Sequence, residues 1–155
     1  MIESIPLPVT DNPVDAPFWE GTRRGELRVQ HCGHCGEPRF PPLPRCAVCH
    51  STRLGWHVVS GAGTVWSWVV PRPPLLPAFQ QRAPYLVALV ELLELPQIRM
   101  VGELVPAPGN TLRELLAAKP ARALIGRRVQ AGFRAVTADV SLLYWALPGQ
   151  EGLDC

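Results

Sequence analysis

Two Cys-x-x-Cys pairs, Cys32-Gly33-His34-Cys35 and Cys46-Ala47-Val48-Cys49, stand ten residues apart and constrain this chain more than any other stretch. Each pair makes a tight knuckle, and Gly33 and Gly36 let the first one aim both sulfurs at a single point. Four thiolates at this separation match the ligand pattern of a zinc ribbon, in which zinc sits in a closed tetrahedron with Zn–S near ~2.3 Å. A closed site of this kind is structural rather than catalytic. The Pro41-Pro42-Leu43-Pro44 run stiffens the link between the knuckles and limits the entropy lost on closure. Disulfides or free thiols are the competing reading, ranked below metal by the spacing. His34 and His50 are rival ligands inside the motif; with four cysteines in place, both are expected beside the site or facing solvent. The pattern says much about metal and little about function, because ribbons occur in many unrelated proteins.

A ribbon of about twenty residues cannot fold without its metal. The chain as a whole has 155 residues, 47% of them hydrophobic. That suits one compact domain, or a small domain plus a metal-stapled module. Formal net charge is +2, and fourteen of the fifteen basic residues are arginine. Only Arg23-Arg24 and Arg127-Arg128 are adjacent, so no basic stripe for nucleic acid stands out. Residues 1–10 lack the basic start and long apolar run of an export signal. The apolar runs 86–90 and 92–93 are far too short to cross a bilayer. A cytoplasmic location without membrane attachment is expected. Cys155, the odd cysteine, is assigned no role.

Taken in order, residues 1–12 read as an extended arm. Asn12-Pro13 offers a helix start, with Asp11 or Asn12 as cap, and the helix continues over 14–24 to end near Gly25. It carries Phe18 and Trp19, which suit either core packing or an anchor on a partner, since large aromatics lead interface hot spots. Leu27-Arg28-Val29-Gln30 alternates as a strand entering the first knuckle. Beyond the second knuckle the pattern is β: 56–60, then Gly61-Ala62-Gly63 as a bulge or bend, then 64–70. In that last run Val65 and Ser67 are expected on one face, Trp66 and Trp68 on the other. A proline-rich connection over 71–84 precedes strands at 85–94 and 97–105, joined as a hairpin by Leu95-Pro96. Thr111 and Glu114 make a capping box for a short helix over 112–119, which Pro120 ends. Strands at 127–136 and 141–147 complete the chain.

About five strands after the ribbon, with one helix between the third and fourth, is the element order of an OB-fold, a small five-stranded Greek-key barrel. The expected class is mainly β: an N-terminal arm and helix (1–26), a zinc ribbon (27–53), a five-stranded barrel with one short helix (54–148) and a tail (149–155).

No familiar catalytic constellation is legible. There is no Gly-x-Ser-x-Gly elbow, no phosphate-cradling glycine loop before a helix, and no His-Glu-x-x-His. Glu91 and Glu94 lie three apart on one strand and point to opposite faces, which argues against a carboxylate pair. Glu91 is expected at an edge or in a salt bridge, and His57 beside Trp56 is expected packed or on the surface. These readings favour a binding or scaffolding role with no catalytic residue.

The ordered combination Pro17-Phe18-Trp19-Glu20-Gly21, Gly25-Glu26-Leu27, the two knuckles, Ser60-Gly61-Ala62-Gly63-Thr64-Val65-Trp66-Ser67, Ala83-Pro84-Tyr85, Ala88-Leu89-Val90-Glu91-Leu92, Val101-Gly102 and Ile125-Gly126-Arg127-Arg128-Val129 covers about residues 13 to 147. It resembles the zinc-ribbon/OB-fold acyl-CoA-associated family, formerly catalogued as a domain of unknown function. The resemblance implies an N-terminal helix, a rubredoxin-like ribbon and a C-terminal OB-fold. It further implies a non-catalytic partner of enzymes that make, cleave or hydrate acyl-CoA: thiolases, hydroxymethylglutaryl-CoA synthase assemblies, lipid-transfer-type aldolases and MaoC-type hydratases. Residues 106–124 depart from the family's short turn. The ending Val140-Ser141-Leu142-Leu143-Tyr144-Trp145 is similar to members that accompany steroid side-chain aldolases.

On this basis the expectation is an accessory subunit of a thiolase-superfamily enzyme in a hetero-oligomer, sharing acyl-CoA with its partner and holding structural zinc. Phe18 and Trp19 are the candidate interface anchors. Arg72, Arg82 and Tyr85, around the proline-rich connection, are candidates for the CoA side, because arginine suits phosphate oxygens. The alternatives are a MaoC-type enoyl-CoA hydratase partner, or a single-stranded nucleic-acid binder using Trp66 and Trp68 as stacking platforms. A free-standing hydrolase or hydratase lacks an acid–base pair.

Overall fold

The computed structural model describes residues 5–107, 112–117 and 124–149. The chain opens with a turn in which the Asn12 side chain accepts from the Val14 N–H at 3.0 Å and its carbonyl accepts from Ala16 at 2.8 Å. Regular helix begins only at α1 (Ala16–Arg23), with Pro17 in the first turn, where no intrahelical donor is needed. The cap expected at Asn12 thus orders the turn that leads into α1. Gly25 ends the helix with φ +75°. There the Glu26 N–H reaches the Gly21 carbonyl at 2.9 Å and the Gly25 N–H reaches Thr22 at 3.3 Å, the pair of bonds of a Schellman motif.

Three strands form the ribbon sheet: β1 (Leu27–Cys32), β2 (Pro38–Arg39) and β3 (Leu54–Val59), in the order β2-β1-β3. Both pairings are antiparallel, with Leu27 opposite Val59 and Gln30 opposite Arg39. Although it follows the 53/54 boundary, β3 finds its hydrogen-bonded partner in β1 of the ribbon sheet. Gly61, at φ +75°, makes the sharp bend by which the chain leaves this sheet.

The barrel comprises β4 (Ala62–Val69), β5 (Leu86–Leu92), β6 (Arg99–Val105), β7 (Arg128–Ala135) and β8 (Ser141–Ala146). Its strands close in the order β4-β5-β6-β8-β7, with β6 and β8 parallel and every other pair antiparallel. Helix α2 (Pro77–Gln80) lies in the proline-rich connection and α3 (Leu112–Ala117) falls between β6 and β7. This is the five-stranded OB-fold, with its helix where the sequence placed it. Leu112 and Leu115 pack against the core, so α3 flanks the barrel. Thr111, its expected cap, and Cys155 lie outside the described residues.

Strict alternation on β5 sends Leu86, Ala88, Val90 and Leu92 inward, where they meet Val65, Met100, Leu104, Val129 and Trp145. Phe18, Leu27 and Val29 join the same apolar cluster, which fixes α1 and the ribbon against the barrel. On β4 the expected alternation fails. A bulge between Val65 and Ser67 turns Trp66 outward, half exposed, and returns Trp68 opposite the buried Ala88. Glu91 is held in an ion pair with Arg99 at 3.1 Å.

Candidate metal centre and apolar groove

The two knuckles are near copies of each other. In the first, the Gly36 N–H donates to the Cys32 carbonyl at 2.9 Å; in the second, the His50 N–H donates to Cys46 at 3.0 Å. Gly36 at φ +78° and His50 at φ +60° occupy the same left-handed position. Gly36 therefore supplies the turn freedom the sequence pointed to, whereas Gly33 packs against Arg53 without a positive φ. His50 serves the turn through its backbone.

The four cysteine sulfurs lie within 4.8 Å of one another, and neither His34 nor His50 joins the cluster. Cys32 and Cys49 are 3.5 Å apart, Cys35 and Cys46 3.7 Å. A zinc tetrahedron with the usual Zn–S length requires sulfurs about 3.8 Å apart. The donor set fits zinc. Backbone N–H groups of Cys35 and His34 pull the Cys32 thiol down to about 6. Cys46 is lowered by the Cys49 N–H. Cys35 is pulled down by the Glu37 N–H, yet desolvation and the neighbouring thiols together push it up to about 12. Without metal the four sulfurs cannot share so much negative charge; a divalent cation takes the place of their protons.

Two buried polar side chains at opposed positions hold the link between the knuckles. Gln30 on β1 accepts from the Leu43 N–H at 3.0 Å, and Arg39 on β2 donates to the Arg45 carbonyl at 2.9 Å. Arg45 precedes Cys46, so this grip places the second knuckle.

The second feature is a groove of about 570 Å³ between α1 and the outer wall of the barrel. Phe18, Trp19, Phe40 and Pro42 line one side, Val87, Val101, Leu143 and Tyr144 the other, and Phe79, Arg82 and Tyr85 come from the proline-rich connection. Four of the five candidate residues for interface and CoA contact therefore meet in one place: Phe18, Trp19, Arg82 and Tyr85. Arg72 is exposed and is not among the lining residues. Phe18 is 6% exposed and stacks edge-on against Trp19, with ring centroids 5.0 Å apart. It acts as groove floor, which leaves Trp19 as the accessible member of the pair. The Trp19 indole donates to Asp15 Oδ2 at 3.4 Å.

The groove's charged groups were not foreseen. Glu103 on β6 receives Arg82 from the loop and Arg134 from β7, the latter at 2.9 Å. Arg134 also lies 5.2 Å over the Tyr144 ring. These positions are far apart in sequence, and only outward parity on the barrel strands hints at them. Further along the outward side of β6, Arg99 covers the Trp66 ring at 3.6 Å and Trp68 is half-buried, so the two tryptophans do not form a free stacking platform.

Comparison with known proteins agrees with this architecture. A family described as the ChsH2 rubredoxin-like zinc ribbon domain matches residues 19–55, and the ChsH2 C-terminal OB-fold domain matches 56–134. The chain is 38% identical over 116 residues to the 3-oxo-4,17-pregnadiene-20-carboxyl-CoA hydratase alpha subunit of Mycobacterium tuberculosis, matching 75% of this chain and 32% of that protein. The chain thus spans about a third of the length of that relative. It is 30% identical over 113 residues to a DUF35 domain-containing scaffold protein of Methanocaldococcus jannaschii, with 70% and 67% of the two chains covered. A solved structure of the Ltp2-ChsH2(DUF35) aldolase superposes with a TM-score of 0.72 at 30% identity, over 90% of this chain and 98% of that one. The chain belongs to the ChsH2-type, or DUF35, family of zinc-ribbon/OB-fold proteins.

Proposed function

We propose that this chain is a non-catalytic accessory subunit that binds a thiolase-superfamily enzyme, of thiolase or side-chain aldolase type, and helps form its acyl-CoA site. One observation carries the reading: Trp19, Arg82 and Tyr85 line a single apolar groove on a chain that superposes on a subunit of the Ltp2-ChsH2 aldolase. The zinc site is closed by four cysteines, so its work is to hold the ribbon. Glu103, a carboxylate in the groove, is engaged by two arginines. The ribbon and α1 then form a rigid wall on which a partner can seat.

A second reading, an accessory partner of a MaoC-type enoyl-CoA hydratase, is favoured by the identity to a hydratase alpha subunit. The two share the accessory role and differ in the partner. A native pull-down of the tagged chain, with mass spectrometry of what co-purifies, separates them. Recovery of a thiolase-fold enzyme supports the first and a hydratase the second; recovery of the chain alone at physiological salt contradicts both. The thiolate site accords with a cytoplasmic location.

A further inference from the structure

We infer that the Arg82–Glu103–Arg134 triad is an exchangeable anion site, with Glu103 standing where the anionic head of an apolar-tailed ligand binds. The inference rests on the accessory reading for its biological setting and on the groove alone for its chemistry. Both guanidiniums converge on one oxygen, Glu103 Oε2, through one nitrogen each. A guanidinium offers five donors in a planar fork suited to two oxygens of a carboxylate or phosphate. One carboxylate oxygen shared by two forks leaves donors unfilled and one positive charge in surplus.

The three side chains are 34%, 26% and 47% exposed, so a ligand can reach them from the groove mouth. Arg82 is carried by the proline-rich connection and Arg134 by β7, so the two cations approach from separate elements. Below the triad the lining is apolar, with Val87, Val101, Leu142 and Phe40. Asp15 lines the same groove, and its Oδ1 is buried without a hydrogen-bond partner among the described residues. A buried acceptor left open is costly, and a donor from a ligand would satisfy it. The chemical class is therefore an amphipathic anion: a carboxylate or phosphate head on the two arginines, an apolar body in the groove, and a hydroxyl or amide N–H for Asp15.

Exchange follows from charge. The incoming head competes with Glu103, which is tethered and so sets a threshold that only a well-seated anion passes. Neutralising Glu103 without changing its shape should lower that threshold.

The experiment titrates the intact zinc-loaded chain with octyl phosphate, octanoate and octanol, following the Trp19 indole N–H by NMR. The account expects both anions to bind in the groove and octanol at least about tenfold more weakly. Glu103→Gln should tighten anion binding by about tenfold, and Arg134→Gln should weaken it by a similar factor. Binding of only one anion keeps the site and identifies its head group. Asp15→Ala should weaken an amide-bearing analogue, N-acyl ethanolamine phosphate, relative to octyl phosphate, because the amide N–H loses its acceptor. Equal binding of octanol, no binding at all, or weaker anion binding in Glu103→Gln overturns the inference. Co-purification of the partner is unaffected by such a failure, so the two claims can fall separately.

Discussion

Arg39 reaches from β2 to the carbonyl of Arg45 at 2.9 Å, one residue ahead of Cys46, and is 9% exposed. A buried guanidinium spent on a backbone carbonyl ties the sheet to the second knuckle. Replacing it by Met keeps the stem and leaves that carbonyl without its donor, a loss on the order of 1–3 kcal/mol. Zinc competition with a chromogenic chelator should show faster metal loss from Arg39→Met than from the parent chain. Cys46→Ser should lose the metal outright and unfold the ribbon. Metal analysis well below one zinc per chain in the parent, purified without chelator, would sink the assignment.

Gly132 on β7 lies directly beneath the ring of Tyr144 on β8, and a Cβ there would run into ring carbon and hydroxyl. Gly132→Ala must displace Tyr144, and Arg134 stacks over that ring. Overpacking of this kind costs about 1–3 kcal/mol. A thermal melt should show a clear drop for Gly132→Ala, with little change for an alanine at Gly149, which has open space around it.

The architecture was readable where one local rule decides it. Leu86, Ala88, Val90 and Leu92 alternate so regularly that β5 could be drawn from the sequence, and the cysteine spacing fixed the metal site. Features set by partners distant in the chain were not readable. The strand at 54–59 pairs with β1, and nothing in its own composition distinguishes that from a barrel strand. The bulge at Trp66 adds one residue against β5, which leaves no compositional trace. Arg82, Glu103 and Arg134 sit on three elements and meet only once the barrel closes.

Glu94 accepts from Ser60, through its side chain and through the backbone N–H at 2.8 Å, and its carboxyl is held below the ordinary range. A depressed folded value means that the contribution is present above the unfolded pKa and fades as pH falls through the folded one. Melting temperature should therefore fall less steeply on acidification in Glu94→Gln than in the parent chain. Parallel acid limbs in the two proteins would show that the Ser60 contact carries no stabilisation.

Trp19 stands half-buried at the mouth of the groove with Phe18 behind it. Truncation of such an aromatic at an interface costs on the order of 2 kcal/mol. Trp19→Ala should raise the dissociation constant for the partner about thirtyfold by calorimetry, and should lower the melting temperature of the free chain less than Phe18→Ala does, because Trp19 only packs against the edge of the core. Phe18→Ala should instead destabilise the free chain, because it empties part of the shared core.

The most direct test of the accessory role is turnover of the acyl-CoA substrate by the co-purifying enzyme alone, by this chain alone, and by the two together. The account predicts no turnover by this chain, impaired turnover by the enzyme alone, and full activity on mixing. Turnover by the isolated chain, or full activity of the enzyme without it, would contradict the account.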